Sequence, residues 1–113
     1  LTLWLFLDRF FNGIAYMEQR KAQRFDLRLP FELVRGGTRT LSERSETRNL
    51  SSVGVLFESD ASLKIGEAVE YVITLPTPPD RETPTRIHCL GKVVRFAQKT
   101  EVAATLERYE FKR

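Results

Sequence analysis

From Phe25 to Leu33 every second residue is large and apolar (Phe25, Leu27, Leu29, Phe31, Leu33), with Asp26, Arg28 and Glu32 between them. A side-chain period of two is the mark of a strand buried on one face, and the pattern recurs along the chain. Gly36 and Gly37 form a turn signal, and Thr38 to Arg48, polar but rich in Thr and Ser, reads as a more exposed partner strand. Val53, Val55 and Phe57 alternate next, and Asp60 to Gly66 supplies loop residues. Val69, Tyr71, Ile73 and Leu75 mark a fourth strand. Pro76 to Pro84 holds four of the five prolines, which remove backbone donors and fix φ, so it is a connecting loop. Ile87 to Phe96 resumes as a strand whose apolar set is expected to switch from Ile87 and Cys89 to Val94 and Phe96 across a bulge at Gly91. Val102, Ala104 and Leu106 supply the last strand before Tyr109 and Phe111. Six short strands with regular turn signals predict an all-β antiparallel barrel or sandwich. At this size, closure into a six-stranded barrel removes the exposed edges.

A chain of 113 residues supports one compact domain, so a single site or surface is sought. The net charge is only +3, but Arg20, Lys21, Arg24 and Arg28 crowd together ahead of the strands, which favours a local anion site over a general polyanion surface. The single cysteine, Cys89, makes no internal disulfide, and a cytoplasmic location follows as the default. His88, the one histidine, has no second ligand at metal-binding spacing, so no metal is expected. No nucleophile sits beside a base and the carboxylates are scattered, so catalysis is not expected either.

The first sixteen residues are rich in large apolar side chains (Leu3, Trp4, Leu5, Phe6, Leu7, Phe10, Phe11, Ile14). A spanning helix needs about 20 apolar residues, and Asp8 and Arg9 interrupt this run; a secretory signal needs a basic start, which is missing. Three readings stay open: an interfacial amphipathic helix, a short N-terminal helix packed on the domain, or a stretch outside the natural protein, with Leu1 an alternative start codon read literally or Met17 the true start. The domain proper is expected over residues 17–113.

Two polar clusters carry the chemistry. In Arg20-Lys21-Ala22-Gln23-Arg24 a four-residue interval puts both guanidiniums on one side, whether the segment is helical or extended. Each is a planar fork of donors suited to a phosphate or to the O6/N7 edge of guanine. In Asn49-Leu50-Ser51-Ser52-Val53-Gly54 the amide of Asn49 both donates and accepts, Ser51 adds a hydroxyl, and Gly54 permits close backbone approach or a positive φ. On its own the first cluster also describes a solvated linker, and the second an ordinary turn.

Taken together, R-x-x-x-R before the first strand and N-x-S-x-x-G at the turn into the third resemble the signature of the PilZ domain family, R-x-x-x-R followed by D/N-x-S-x-x-G, matched here by Arg20, Arg24, Asn49, Ser51 and Gly54. Gly54-Val55-Leu56-Phe57-Glu58 and Gly91-Lys92-Val93-Val94-Arg95 are similar to the family as well, so the resemblance spans about Gln19 to Arg108. One departure is Val102 to Leu106, which reads V-A-A-T-L where the family often has a Gly-Val-x-Phe-like stretch; the family's C-terminal helix is expected to be short or absent.

The resemblance implies a six-stranded antiparallel barrel that acts as a non-catalytic receptor for the bacterial second messenger cyclic di-GMP and needs no cofactor. Arg20 and Arg24 would meet phosphates and guanines, Asn49 and Ser51 would hydrogen-bond a guanine, and Gly54 would keep the turn open. Lys21, Arg28 and Arg95 are additional candidates. The arginine arm would close over the ligand and pass occupancy to an effector protein of unknown identity, with no DNA and no membrane span involved. Two competing readings are a barrel that binds single-stranded nucleic acid and a protein-interaction barrel without the ligand; Phe25, Phe31, Phe57 and Tyr71 fall on apolar faces and are expected in the core rather than as stacking platforms.

Overall fold

The computed structural model describes residues 24–77, 82–98 and 100–112. Seven strands follow one another: β1 (Pro30–Gly36), β2 (Arg39–Leu50), β3 (Gly54–Glu58), β4 (Ala68–Thr74), β5 (Arg86–Phe96), β6 (Glu101–Thr105) and β7 (Arg108–Lys112). All pairings are antiparallel. The hydrogen-bonded order is β4-β1-β2-β3-β6-β5, and pairing of β5 back to β4 closes it. This is the expected six-stranded barrel, closed through the pairing of β5 with β4.

The chain adds a seventh strand. β6 pairs with the C-terminal part of β5, at Val93 to Phe96, and β7 then pairs along Arg86 to Leu90 of the same strand. Tyr109 and Phe111 on β7 meet edge to face at 5.8 Å and pack against the core from its margin. No helix occurs among the described residues; the expectations for residues 1–16, including a short N-terminal helix, lie outside them.

The interior follows from the alternation. Phe31 from β1, Phe57 from β3 and Tyr71 from β4 stack in the barrel, with ring centroids 4.2 Å apart for Phe31 and Phe57 and 5.2 Å for Phe31 and Tyr71. Offset aromatic contacts of this kind add to the burial of the rings themselves. The Tyr71 hydroxyl donates to the Thr105 carbonyl at 2.9 Å, so its polar end is satisfied on β6. Phe25, expected in the core, is half-buried and packs against it.

Two expectations from the sequence are corrected. The first strand begins at Pro30, not at Phe25. Pro30 has no N–H to give a ladder, which suits the first position of a strand, and Thr47 takes over the pairing of the residues before it. Leu29 N donates to Thr47 Oγ1 at 2.9 Å, Thr47 Oγ1 donates in turn to the Leu27 carbonyl, and Leu27 N turns back to the Phe25 carbonyl. Alternate burial therefore continues through an arm, Arg24–Leu29, that is not a regular strand.

The second correction concerns β5, where Ile87, Cys89, Gly91 and Val93 all remain inward and Val94 and Phe96 are exposed at 47% and 45%. The bulge lies between Val93 and Arg95. Gly91 has another cause: a Cβ there would sit 1.8 Å from the Thr105 carbonyl oxygen, so the close approach of β6 excludes any side chain.

Candidate functional site

The arm reaches the polar loop by backbone pairing. Phe25 N donates to the Leu50 carbonyl at 2.8 Å and Leu50 N to the Phe25 carbonyl at 2.9 Å, an isolated antiparallel bridge. That bridge sets Arg24 next to the end of β2, where its Nη1 donates to Asn49 Oδ1 at 2.6 Å. Arg24 is exposed and Asn49 half-buried, so the pair opens to solvent. The structure thus brings together Arg24 and Asn49 across 25 positions of sequence. Arg20 and Lys21 lie outside the described residues.

Ser51 is placed differently from the expectation that its hydroxyl meets a guanine. It is 1% exposed, and its Oγ accepts from Val53 N and Gly54 N, both at 3.2 Å. With Ser51 N donating to the Gly54 carbonyl at 2.9 Å, the hydroxyl mimics a backbone group and closes the turn. Ser51 shapes the loop from inside. Its neighbour Ser52 is also 1% exposed, and its hydroxyl has no hydrogen-bond partner.

Gly54 is required by close approach. Its φ is not positive; a Cβ there would lie 2.8 Å from the Ala104 carbonyl oxygen and 3.8 Å from Arg24 Nη2. The glycine therefore lets β6 pack on β3 and leaves the flank of the Arg24 guanidinium clear.

Register partners in an antiparallel pair share a face, and one row runs outward from the site: Asn49 on β2 faces Leu56 on β3, Leu56 faces Ala103 on β6, and Ala103 faces Arg95 on β5. Val55, Phe57, Val102 and Ala104, the residues on either side, point into the core. Arg95 is exposed at the far end of this row, three strand spacings or roughly 14 Å from Asn49. Arg28 is exposed on the arm; no contact links it to the Arg24–Asn49 pair.

A residue that the motif does not include holds the end of β2. The register of β2 on β3 slips between Thr47 and Asn49, leaving Arg48 as the bulged residue. Its Nη2 lies 2.5 Å from Glu58 Oε2 and its Nε 3.7 Å from Glu101 Oε2, and the Glu58 contact raises its pKa further above the ordinary arginine value. Bulges re-aim side chains, and this one is tied to β3 and β6 immediately before Asn49. Only the basic residue beside Asn49 and the acids closing β3 and opening β6 hint at it in the sequence.

What the pair can do chemically is bind an acceptor-rich, anionic or guanine-like group on the barrel exterior. Among the described residues no group of three His, Cys, Asp or Glu side chains is placed to hold a metal, and no helix is long and apolar enough to cross a membrane. In a comparison with known families, the PilZ domain model matches residues 18–112. A search of curated proteins finds no match.

Proposed function

The chain belongs to the PilZ domain family, and we propose that it is a receptor for cyclic di-GMP, gripped between the arginine arm and the loop from Asn49 to Gly54. The observation that carries this reading is the Arg24–Asn49 contact: the second arginine of R-x-x-x-R stands at hydrogen-bond distance from the first residue of N-x-S-x-x-G. Arg24 and Asn49 supply N–H donors to a guanine or a phosphate. Arg20, four positions earlier in the sequence, adds the second guanidinium. Ser51 positions the loop, and Gly54 keeps the approach to Arg24 open.

The ligand acts as a switch through the arm. Occupancy favours the arm position that completes the grip, and a ligand shifts an equilibrium only by its difference in affinity for the two states. The output is an effector protein that reads the arm, in the cytoplasm, with no chemistry performed on the ligand. Calorimetric titration with cyclic di-GMP tests this reading: saturable binding that Arg20→Ala weakens at least about tenfold is expected, and no saturable heat from the parent chain would overturn it.

A further inference from the structure

Thr47 and Asn49 are two positions apart on β2, and in a regular strand they would point to the same face. Here they do not. Thr47 lies opposite Phe57 and is fully buried, whereas Asn49 lies opposite Leu56 and opens to the exterior. With Thr47 kept opposite Phe57, an unbroken register would set Asn49 against Val55, a core residue, because a slip of one position moves each side chain to the other face. The extra residue, Arg48, prevents this. Burial along β2 changes parity at the same point: Leu41, Glu43, Ser45 and Thr47 are the more buried positions up to the bulge, and Leu50 is the buried one beyond it.

Both orientations are used. Thr47 inside ties Leu27 and Leu29 of the arm to β2, and Asn49 outside receives Arg24. The bulged residue is itself left out of the ladder, so its hold comes from its side chain. Arg48 Nη2 lies 2.5 Å from Glu58 on β3, and its Nε 3.7 Å from Glu101 on β6. Glu58 and Glu101 are register partners, and like charges directly opposite repel. A guanidinium that reaches both turns this pair into an attachment for β2.

We propose that Arg48 is a positioning residue for Asn49: clamped by Glu58 and Glu101, it holds the bulge that turns Asn49 out of the barrel toward the ligand. This rests on the cyclic di-GMP reading and adds a control on the site by three residues outside the motif. Ion pairs at partly exposed positions add little to overall stability, so the effect is read in binding rather than in melting.

The test is a double-mutant cycle on the full chain, with cyclic di-GMP titrated calorimetrically into the parent, Arg48→Met, Asn49→Ala and the double variant. Arg48→Met is expected to weaken binding about tenfold in the parent and less than about twofold once the Asn49 amide is gone, because residues that act through one another are not additive. Equal losses in the two backgrounds would mean that Arg48 acts on the ligand directly, and no loss in the parent that the bulge holds without it; either result overturns the inference with the receptor reading intact. Glu58→Gln and Glu101→Gln, nearly isosteric, supply the sign. A clamp loosened at either acid is expected to lose about threefold in affinity. An Arg48 that served only as a positive charge near an anionic ligand would bind it more tightly once an acid was removed, and tighter binding overturns the inference. If the parent chain binds no cyclic di-GMP, the receptor reading fails, and the side-chain amide resonances of Asn49 in Arg48→Met still decide the clamp. They are expected to shift from their positions in the parent, and unchanged resonances would overturn it.

Discussion

Arg24 Nη1 and Asn49 Oδ1 stand 2.6 Å apart, joining an arm that precedes the barrel to the last turn of its longest strand. The contact is held from behind by the two backbone hydrogen bonds between Phe25 and Leu50 and by Thr47, which is fully buried and ties Leu27 and Leu29 to β2. Much of the ordering that a ligand would otherwise impose on Arg24 is already in place, which lowers the entropic cost of binding.

Arg24 should therefore matter more than a mobile surface charge. Arg24→Ala is expected to lose about 2 kcal/mol of cyclic di-GMP binding, roughly thirtyfold, the scale of a charged hydrogen bond to a desolvated partner. Arg24→Lys should recover only part of it, because an ammonium lacks the planar fork. Calorimetry on the three proteins checks both, and equal affinities would remove Arg24 from the site.

The two adjacent serines should behave oppositely. Ser51→Ala removes the acceptor for two backbone N–H groups and is expected to cost about 1–2 kcal/mol of stability. Ser52→Ala removes a buried hydroxyl that has no partner and should be neutral or slightly stabilising. Urea denaturation of both variants measures the contrast, and the reverse order would contradict the placement of the loop.

Glycine substitutions probe the approach of β6 to its neighbours. At Gly91 a Cβ would overlap the Thr105 carbonyl at 1.8 Å, and at Gly54 it would crowd the Ala104 carbonyl at 2.8 Å. Both neighbours are backbone, so neither can rotate away. Gly91→Ala should be the more destabilising, on the order of 3 kcal/mol or more, in the range of severe overpacking. Thermal melts rank the two, and a Gly91→Ala protein as stable as the parent would show that β6 sits further from β5.

Much of this architecture is legible in the sequence because a period of two leaves a clear trace wherever one face is buried. It is misleading at two places. Phe25 to Leu29 alternates like a strand, yet Thr47 supplies the bonds a strand partner would make, a role no local pattern announces. Val94 and Phe96 look like core residues, but the inward set of β5 ends at Val93 and both are exposed. At the site, the motif names Arg24, Asn49 and Gly54 correctly as neighbours, because the bridge from Phe25 to Leu50 brings the two segments together. It does not show that Ser51 turns inward or that Arg48 anchors the bulge before Asn49, since both depend on register across strands that are distant in sequence.

Cys89 gives a prediction with a definite sign. Burial pushes its thiol up to about 12, from 9.0 in the open chain, so folding holds a proton that the unfolded chain releases earlier. Below pH 9 both states keep the proton and nothing is lost; from about pH 9 to 12 the unfolded state is favoured increasingly and stability falls. Tyr71, whose buried hydroxyl is also shifted upward by desolvation, acts in the same direction. The folded protein at pH 8 should resist thiol alkylation and react fully in denaturant, and rapid modification of the native chain would place Cys89 at the surface.

The most direct test of the account is a nuclear magnetic resonance titration that follows the side-chain amide of Asn49 and the guanidinium of Arg24 as cyclic di-GMP is added. The account predicts that both sets of resonances shift along one saturation curve, because one ligand engages both groups. Shifts confined to other parts of the barrel, with Arg24 and Asn49 unmoved at saturation, would contradict it.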